Sequence, residues 1–167
     1  MGISDVPVVL GTVADLGLDY LGFAGKVTRQ EALNFAGSGR PAPVGATRWI
    51  TVFHPRADLS ALDMDCMLEM KARMKPRIAR AQAEQPFRMI LVAGSANSEP
   101  IVARWRELTN PDPTYASNPE VARSIDEACE MHGFNREQRA VAVAEIERDL
   151  RDALSLSGGR VDSPASQ

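Results

Sequence analysis

The chain has little of what most catalytic and metal-binding chemistry is built from. It holds two histidines and two cysteines in 167 residues. Cys66 and Cys129 lie far apart and form no Cys-x-x-Cys, so both read as buried thiols of a reducing compartment. A chain this long buries roughly 70% of the surface its unfolded form exposes, so neither a disulfide nor a metal is needed as a staple. There is no surplus of positive charge: 19 basic and 22 acidic residues give a net −3, spread along the whole length. That leaves no basic stripe to neutralise phosphates, and nucleic acid is not expected as a partner. Long apolar runs are missing too. Nothing approaches the ~18 residues of a membrane span, and the start MGISDVPVVL has neither the basic n-region nor the apolar core of a secretory signal. The expected address is the cytoplasm, with no stable membrane insertion.

What is present alternates between two periods. VPVVLGTV (6–13) and LDYLGFAGKV (18–27) are β-type runs joined by Ala-Asp-Leu-Gly, which predicts an N-terminal hairpin. Thr28 with Glu31 forms a capping box ahead of Ala32, Leu33 and Phe35, and Gly37-Ser38-Gly39-Arg40-Pro41 ends that helix. RWITVFH (48–54) is a strand apolar on both faces, as in a covered sheet. Ser60 with Asp63 is a second capping signature, opening a long helix to about residue 85. Pro76 inside it predicts a kink or break near Lys75. FRMILVAG (87–94) is a fourth strand, and SEPIVARWREL a helix with Ile101, Val102 and Trp105 on one face. NPDPTYAS (110–117) is too proline-rich for a central strand but suits a short edge strand around Tyr115. A helix is expected to begin at Asn118-Pro119-Glu120 and stop at Gly133. A last helix, 135–154, carries Val143, Ile146, Leu150 and Leu154 as a narrow stripe. The residues after it, 157–167, read as a flexible tail. The order ββαβαβα(β)αα predicts one α/β domain over 1–156, with a mixed four- to five-stranded sheet and a C-terminal helix.

Candidate sites follow from where the strands end. Gly37-Ser38-Gly39-Arg40-Pro41-Ala42 fits G-x-G-x-x-A but follows a helix, whereas a phosphate loop must leave a strand and open a helix. No cofactor and no metal are expected. In a parallel sheet His54 shares a rim with the turn Gly94-Ser95-Ala96-Asn97-Ser98, so Ser95 with His54 is the best available catalytic pair. Ser95 lacks the flanking glycines of a hydrolase elbow, and no acid is fixed by spacing. Ser95, Asn97 and Ser98 are therefore expected to cap the Trp105 helix. The rim remains a place for a small apolar or anionic ligand, which Arg104 would reach if its face turns that way. Met64, Met67, Met70 and Met74 recur at helical spacing and read as core ahead of a partner groove. The 143/146/150/154 stripe would dock on its own domain or on a second copy, and on that ground a homodimer is expected.

The segments GKVTRQEAL, ADLSALDMDCMLEM, MILVAGS and SIDEACEMHGF, in that order over 25–134, resemble the STAS-like domains, the fold of the anti-sigma factor antagonists and their looser relatives. In those antagonists Asp-Ser-Ser-Gly follows the third strand, and a phosphorylated serine there releases a partner kinase. Laid on this chain, Asp63 matches the Asp and Met64 stands at the switch serine, followed by Asp65 and Cys66. The resemblance implies a non-enzymatic regulatory or protein-interaction module without that switch, with Asp63 and Met64 near the partner surface. A rim ligand site and a Ser95–His54 hydrolase are the alternatives.

Overall fold

A computed structural model of the chain describes residues 7–37, 48–84, 88–115 and 119–158. Strand β1 (Val8–Val13) turns through a 3-10 segment (Ala14–Leu16) and Gly17, at φ 56°, into β2 (Leu18–Phe23). Glycine is the residue that takes this left-handed conformation without strain. The expected hairpin is thus present, with Val8 opposite Phe23 and Val13 opposite Leu18. Helix α1 (Arg29–Gly37), β3 (Arg48–Phe53), α2 (Met64–Glu84), β4 (Arg88–Val92) and α3 (Glu99–Thr109) follow, then β5 (Glu120–Ala122), α4 (Ile125–Met131) and α5 (Arg136–Gly158). The sheet runs in chain order β1-β2-β3-β4-β5, antiparallel at the first pair and parallel thereafter. The glycine-rich segment after Gly37 and residues 159–167 of the expected tail lie outside the described residues.

Most helix starts are legible in local chemistry. Thr28 N–H donates to Glu31 Oε2 at 2.8 Å while Glu31 N–H returns to Thr28 Oγ1 at 3.2 Å, the expected capping box. Asn135 and Gln138 exchange the same pair of bonds, both at 2.9 Å, at the start of α5. At α2 the expectation is corrected. Asp63 is the cap, its Oδ1 accepting from Cys66 N–H at 2.8 Å, whereas Ser60 is held back in the loop by Asp58. The fifth strand is displaced as well. It lies at Glu120–Ala122, and Tyr115 sits in a 3-10 turn. Pro119 does not open a helix. Ser124, extended at φ −144° and ψ 163°, caps α4 by accepting from Glu127 N–H. A proline's fixed φ suits the entry to an edge strand as well as a first helical turn, so the residue alone did not separate the two.

Two cores lie on opposite faces. Phe35 of α1, Met67, Met70, Met74 and Ile78 of α2, and Ile101, Val102 and Trp105 of α3 cover one face, so three of the four helix methionines are core. Ala128 and Cys129 of α4 and Ala142, Ile146 and Leu150 of α5 cover the other, with Leu154 packed at its margin. The stripe expected to drive dimerisation is therefore occupied at home: Ile146 and Leu150 are buried, and Val143 and Leu154 are partly covered. Close approach explains how α5 reaches the sheet. Leu150 fills the space above Gly22, where a Cβ would collide with it, and the Tyr20 ring crosses Gly11 to hydrogen-bond Asp149. Both cysteines are buried free thiols. Helix α2 continues through Pro76 without the expected break. Met74 and Ile78 anchor it on either side of the proline, and Tyr115 Oη–H donates to the Lys71 carbonyl at 2.8 Å, one residue before the Ala72 carbonyl that the proline leaves without its helical N–H.

Candidate functional site

In parallel α/β sheets, ligands gather at the carboxyl ends of strands, where the strand order reverses and neighbouring crossovers diverge to opposite faces. Here the order never reverses, and α1, α2 and α3 all cover one face. The carboxyl rim has no such crevice. What it has is a cleft made another way, between the loop after β3 and the first turns of α3.

The turn after β4 is the hinge of this arrangement. Gly94 lies against the backbone of Arg123, and a Cβ at 94 would overlap the Arg123 carbonyl oxygen. Ser98 occupies the position before α3, but its backbone is helical at φ −91° and ψ −32°, and its side chain caps nothing. A capping side chain needs an extended backbone to reach the second or third amide. The expected cap is thus corrected: the Ser95 carbonyl takes the Ser98 and Glu99 N–H groups, both at 3.1 Å. Ser98 Oγ, fully buried, donates to that same carbonyl at 3.0 Å, and Ser95 Oγ bonds Asn97. Asn97 turns the other way. Its Nδ2 donates to the carbonyls of His54 at 3.2 Å and Ala57 at 2.8 Å, tying α3 to the loop after β3.

His54 and the 94–98 turn therefore do meet on one rim, as the sequence suggested, but through a backbone carbonyl and an amide. The His54 Nδ1 lone pair accepts Arg56 N–H at 3.0 Å. Burial and the neighbouring Arg56 hold its pKa below the ordinary histidine value. Among the described residues no hydrogen bond joins the His54 ring to Ser95. A base must have a lone pair directed at the proton it removes, and this ring spends its Nδ1 pair on the local turn.

The cleft is open, with a volume of about 330 Å³, and is lined by Ala57, Asp58, Leu59, Ser60, Leu62, Asp63, Asn97, Ile101 and Arg104. Leu59, Leu62 and Ile101 give it a buried apolar floor. Its two carboxylates are already engaged. Asp58 accepts Ser60 Oγ–H at 2.7 Å and Ser60 N–H at 3.1 Å, which with Lys26 nearby hold its carboxyl below the usual range. Asp63 caps α2 and lies 3.7 Å from Arg29. Arg104 has no ion pair or hydrogen bond among the described residues, so its charge is available. Beside Asp63, Met64 is 40% exposed and Leu68, one turn on, 46%.

Of the residues singled out in the sequence, the structure brings His54, Asn97 and Asp63 to this rim. Ser95 and Ser98 stand in the supporting turn, and Met64 lies at the border. Asp58, Ser60 and Ile101 were missed as lining residues. The spacing 97, 101, 104 marks one helical face, but only the packing of α3 turns that face to the cleft. Among the described residues no group of three or more acidic, histidine or cysteine side chains could hold a metal, and no described helix is long and apolar enough to cross a membrane. Comparison with known proteins yields no match to a family model, a curated protein or a solved structure.

Proposed function

We propose that the chain is a non-catalytic interaction module, working in the manner of the STAS-like domains it resembles. Its partner protein docks at the carboxyl rim, over the cleft and the start of α2. The observation that carries this reading is Arg104. Among the described residues it has no ion pair or hydrogen bond, and it stands on a cleft floored by Leu59, Leu62 and Ile101 and bordered by the exposed Met64 and Leu68. That combination suits a segment bearing a carboxylate among apolar side chains, since aliphatic contact supplies area and the guanidinium a directional bond. With methionine at the switch position, phosphorylation there does not regulate the contact. A photo-crosslinking side chain placed at Met64 tests this in an extract of the cells that make the protein. The expected result is an adduct that Arg104→Ala removes and that a probe at Glu137, on α5, does not give. No adduct from position 64, or equal adducts from both positions, overturns the reading.

A second reading is favoured by the cleft's volume, which falls within the range of small-molecule sites. In it, a small anion with an apolar tail occupies the cleft directly. Phosphate, sulfate and short carboxylates at constant ionic strength would then raise the melting temperature saturably, and Arg104→Ala would abolish the rise.

A further inference from the structure

We propose that the outer edge of β1 is an interface at which two copies of this chain join, strand to strand about a two-fold axis, merging their sheets into one.

Among the described residues, β1 itself carries none of the features that keep edge strands apart. Soluble proteins guard an edge strand with lysine, proline or a bulge. VVLGTV has no charge and no proline, and it pairs with β2 in an uninterrupted register. The direction of its free groups is fixed by that register. Ala24 N–H donates to the Pro7 carbonyl at 2.7 Å, so Pro7 and every second residue after it bond to β2. The N–H and C=O of Val8, Leu10 and Thr12 then point outward, because antiparallel pairs alternate. Among the described residues nothing bonds them. An axis through Leu10 pairs Leu10 with its copy and Val8 with the partner's Thr12, satisfying all six groups on each strand. Leu10, 41% exposed, meets its counterpart as an apolar cross-strand pair.

Helix α5 supplies the second layer. It seats above β1 and β2, with Leu150 over Gly22 and Asp149 reached by the Tyr20 ring that leans across Gly11. Its flank toward the open edge therefore carries Glu145, Asp149 and the positions in line with them, Val141, Asp152 and Leu156. Val141 and Leu156 are 54% and 55% exposed. With Leu10 they are three of the five large apolar side chains exposed among the described residues, the others being Met64 and Leu68 at the rim. The spacing fits a second copy. Paired strands lie about 4.8 Å apart, so two helices each seated over the β1–β2 line come within about 10 Å, the distance of packed helices. The register fits as well. Asp149 lies beside the axis, with Val141 eight residues before it and Leu156 seven after. In an antiparallel pair Val141 therefore comes beside the partner's Leu156 at both ends, while Glu145, Asp149 and Asp152 of the two copies face one another between them, so the pairing should strengthen as salt screens these like charges.

Sedimentation velocity of the full chain over a micromolar to sub-millimolar series tests the pairing. A concentration-dependent dimer is expected, which Leu10→Lys weakens about tenfold or more. Val141→Glu should weaken it too, and neither substitution should lower the melting temperature of the monomer, because both positions are exposed. Hydrogen exchange gives an independent readout: the Val8, Leu10 and Thr12 amides should be protected in the dimer and exchange freely in Leu10→Lys. A chain monomeric at every concentration overturns the proposal. So does a dimer indifferent to both substitutions, or one in which those three amides stay unprotected.

Discussion

Gly94 stands so close to the Arg123 carbonyl oxygen that no side chain fits between them. This contact fastens the end of β4 to the end of β5, where Ala93 N–H also donates to the Ala122 carbonyl at 2.8 Å. A methyl group at 94 has a backbone atom to displace and no flexible side chain to push aside. Gly94→Ala is expected to cost about 1–3 kcal/mol, read as a lower urea midpoint with an unchanged slope. A midpoint equal to that of the native chain would mean that β5 shifts without resistance.

Among the described residues, Asn97 is the one side chain hydrogen-bonded from the turn before α3 to the loop after β3. Asn97→Ala removes two donors and takes from the Ala57 carbonyl its side-chain partner, while the His54 carbonyl keeps the Ala57 N–H at 3.0 Å, a loss of about 1–3 kcal/mol. Arg104→Ala, on the same helix, exposed and without a partner among the described residues, should change stability by no more than about 0.5 kcal/mol. Denaturant titration of the two variants side by side checks the contrast. Equal losses would mean that the Asn97 bonds contribute little.

The two tyrosines predict how the fold meets alkali. Burial, helped by the hydrogen bond and charge of Asp149, holds Tyr20 well above the ordinary value of 10.0. Burial and Asp112 do the same for Tyr115. Both folded values are raised, so the stability they contribute is complete below the unfolded value, about pH 10, and is lost as pH climbs beyond it, because the unfolded chain releases protons first. Tyrosinate absorbance should therefore stay low in the folded protein above pH 10.0 and then appear together with cooperative unfolding. As these are the only tyrosines in the chain, a signal rising gradually while far-ultraviolet circular dichroism stays constant would contradict this.

Pro76 sits on an exposed position of a continuous α2. Restoring the missing N–H with Pro76→Ala removes a penalty of about 3 kcal/mol for a proline within a helix. The net gain should be about 1–3 kcal/mol, because the chain around the proline has already adjusted. Thermal unfolding measures it, and a lower melting temperature would show that the proline is an asset where it stands.

The sequence by itself determined several elements whose cause is local. Thr28–Glu31 and Asn135–Gln138 cap their helices in the plain alphabet of side-chain acceptors and amides. The hairpin, the two-sided strand 48–53 and the period of the α2 methionines follow from alternation and from 3.6 residues per turn. Local signals failed where one residue type serves two geometries. Pro119 suits both an edge strand and a helix start, and Ser98 is a good cap only if its backbone is extended, whereas here it is helical at φ −91° and ψ −32°. Position relative to other elements was beyond the sequence altogether. Ile146 and Leu150 make the same stripe whether they meet a sheet or another chain, and it is the bare Gly11 and Gly22 on the strands beneath that let α5 settle on its own domain. Likewise, the sequence placed His54 and the 94–98 turn on one rim, because parallel strands end together. Only the tertiary structure decided that Asn97 rather than Ser95 spans the gap, and that Arg104 faces a cleft with its charge unspent, because the direction of a side chain is set by the packing of the helix that carries it.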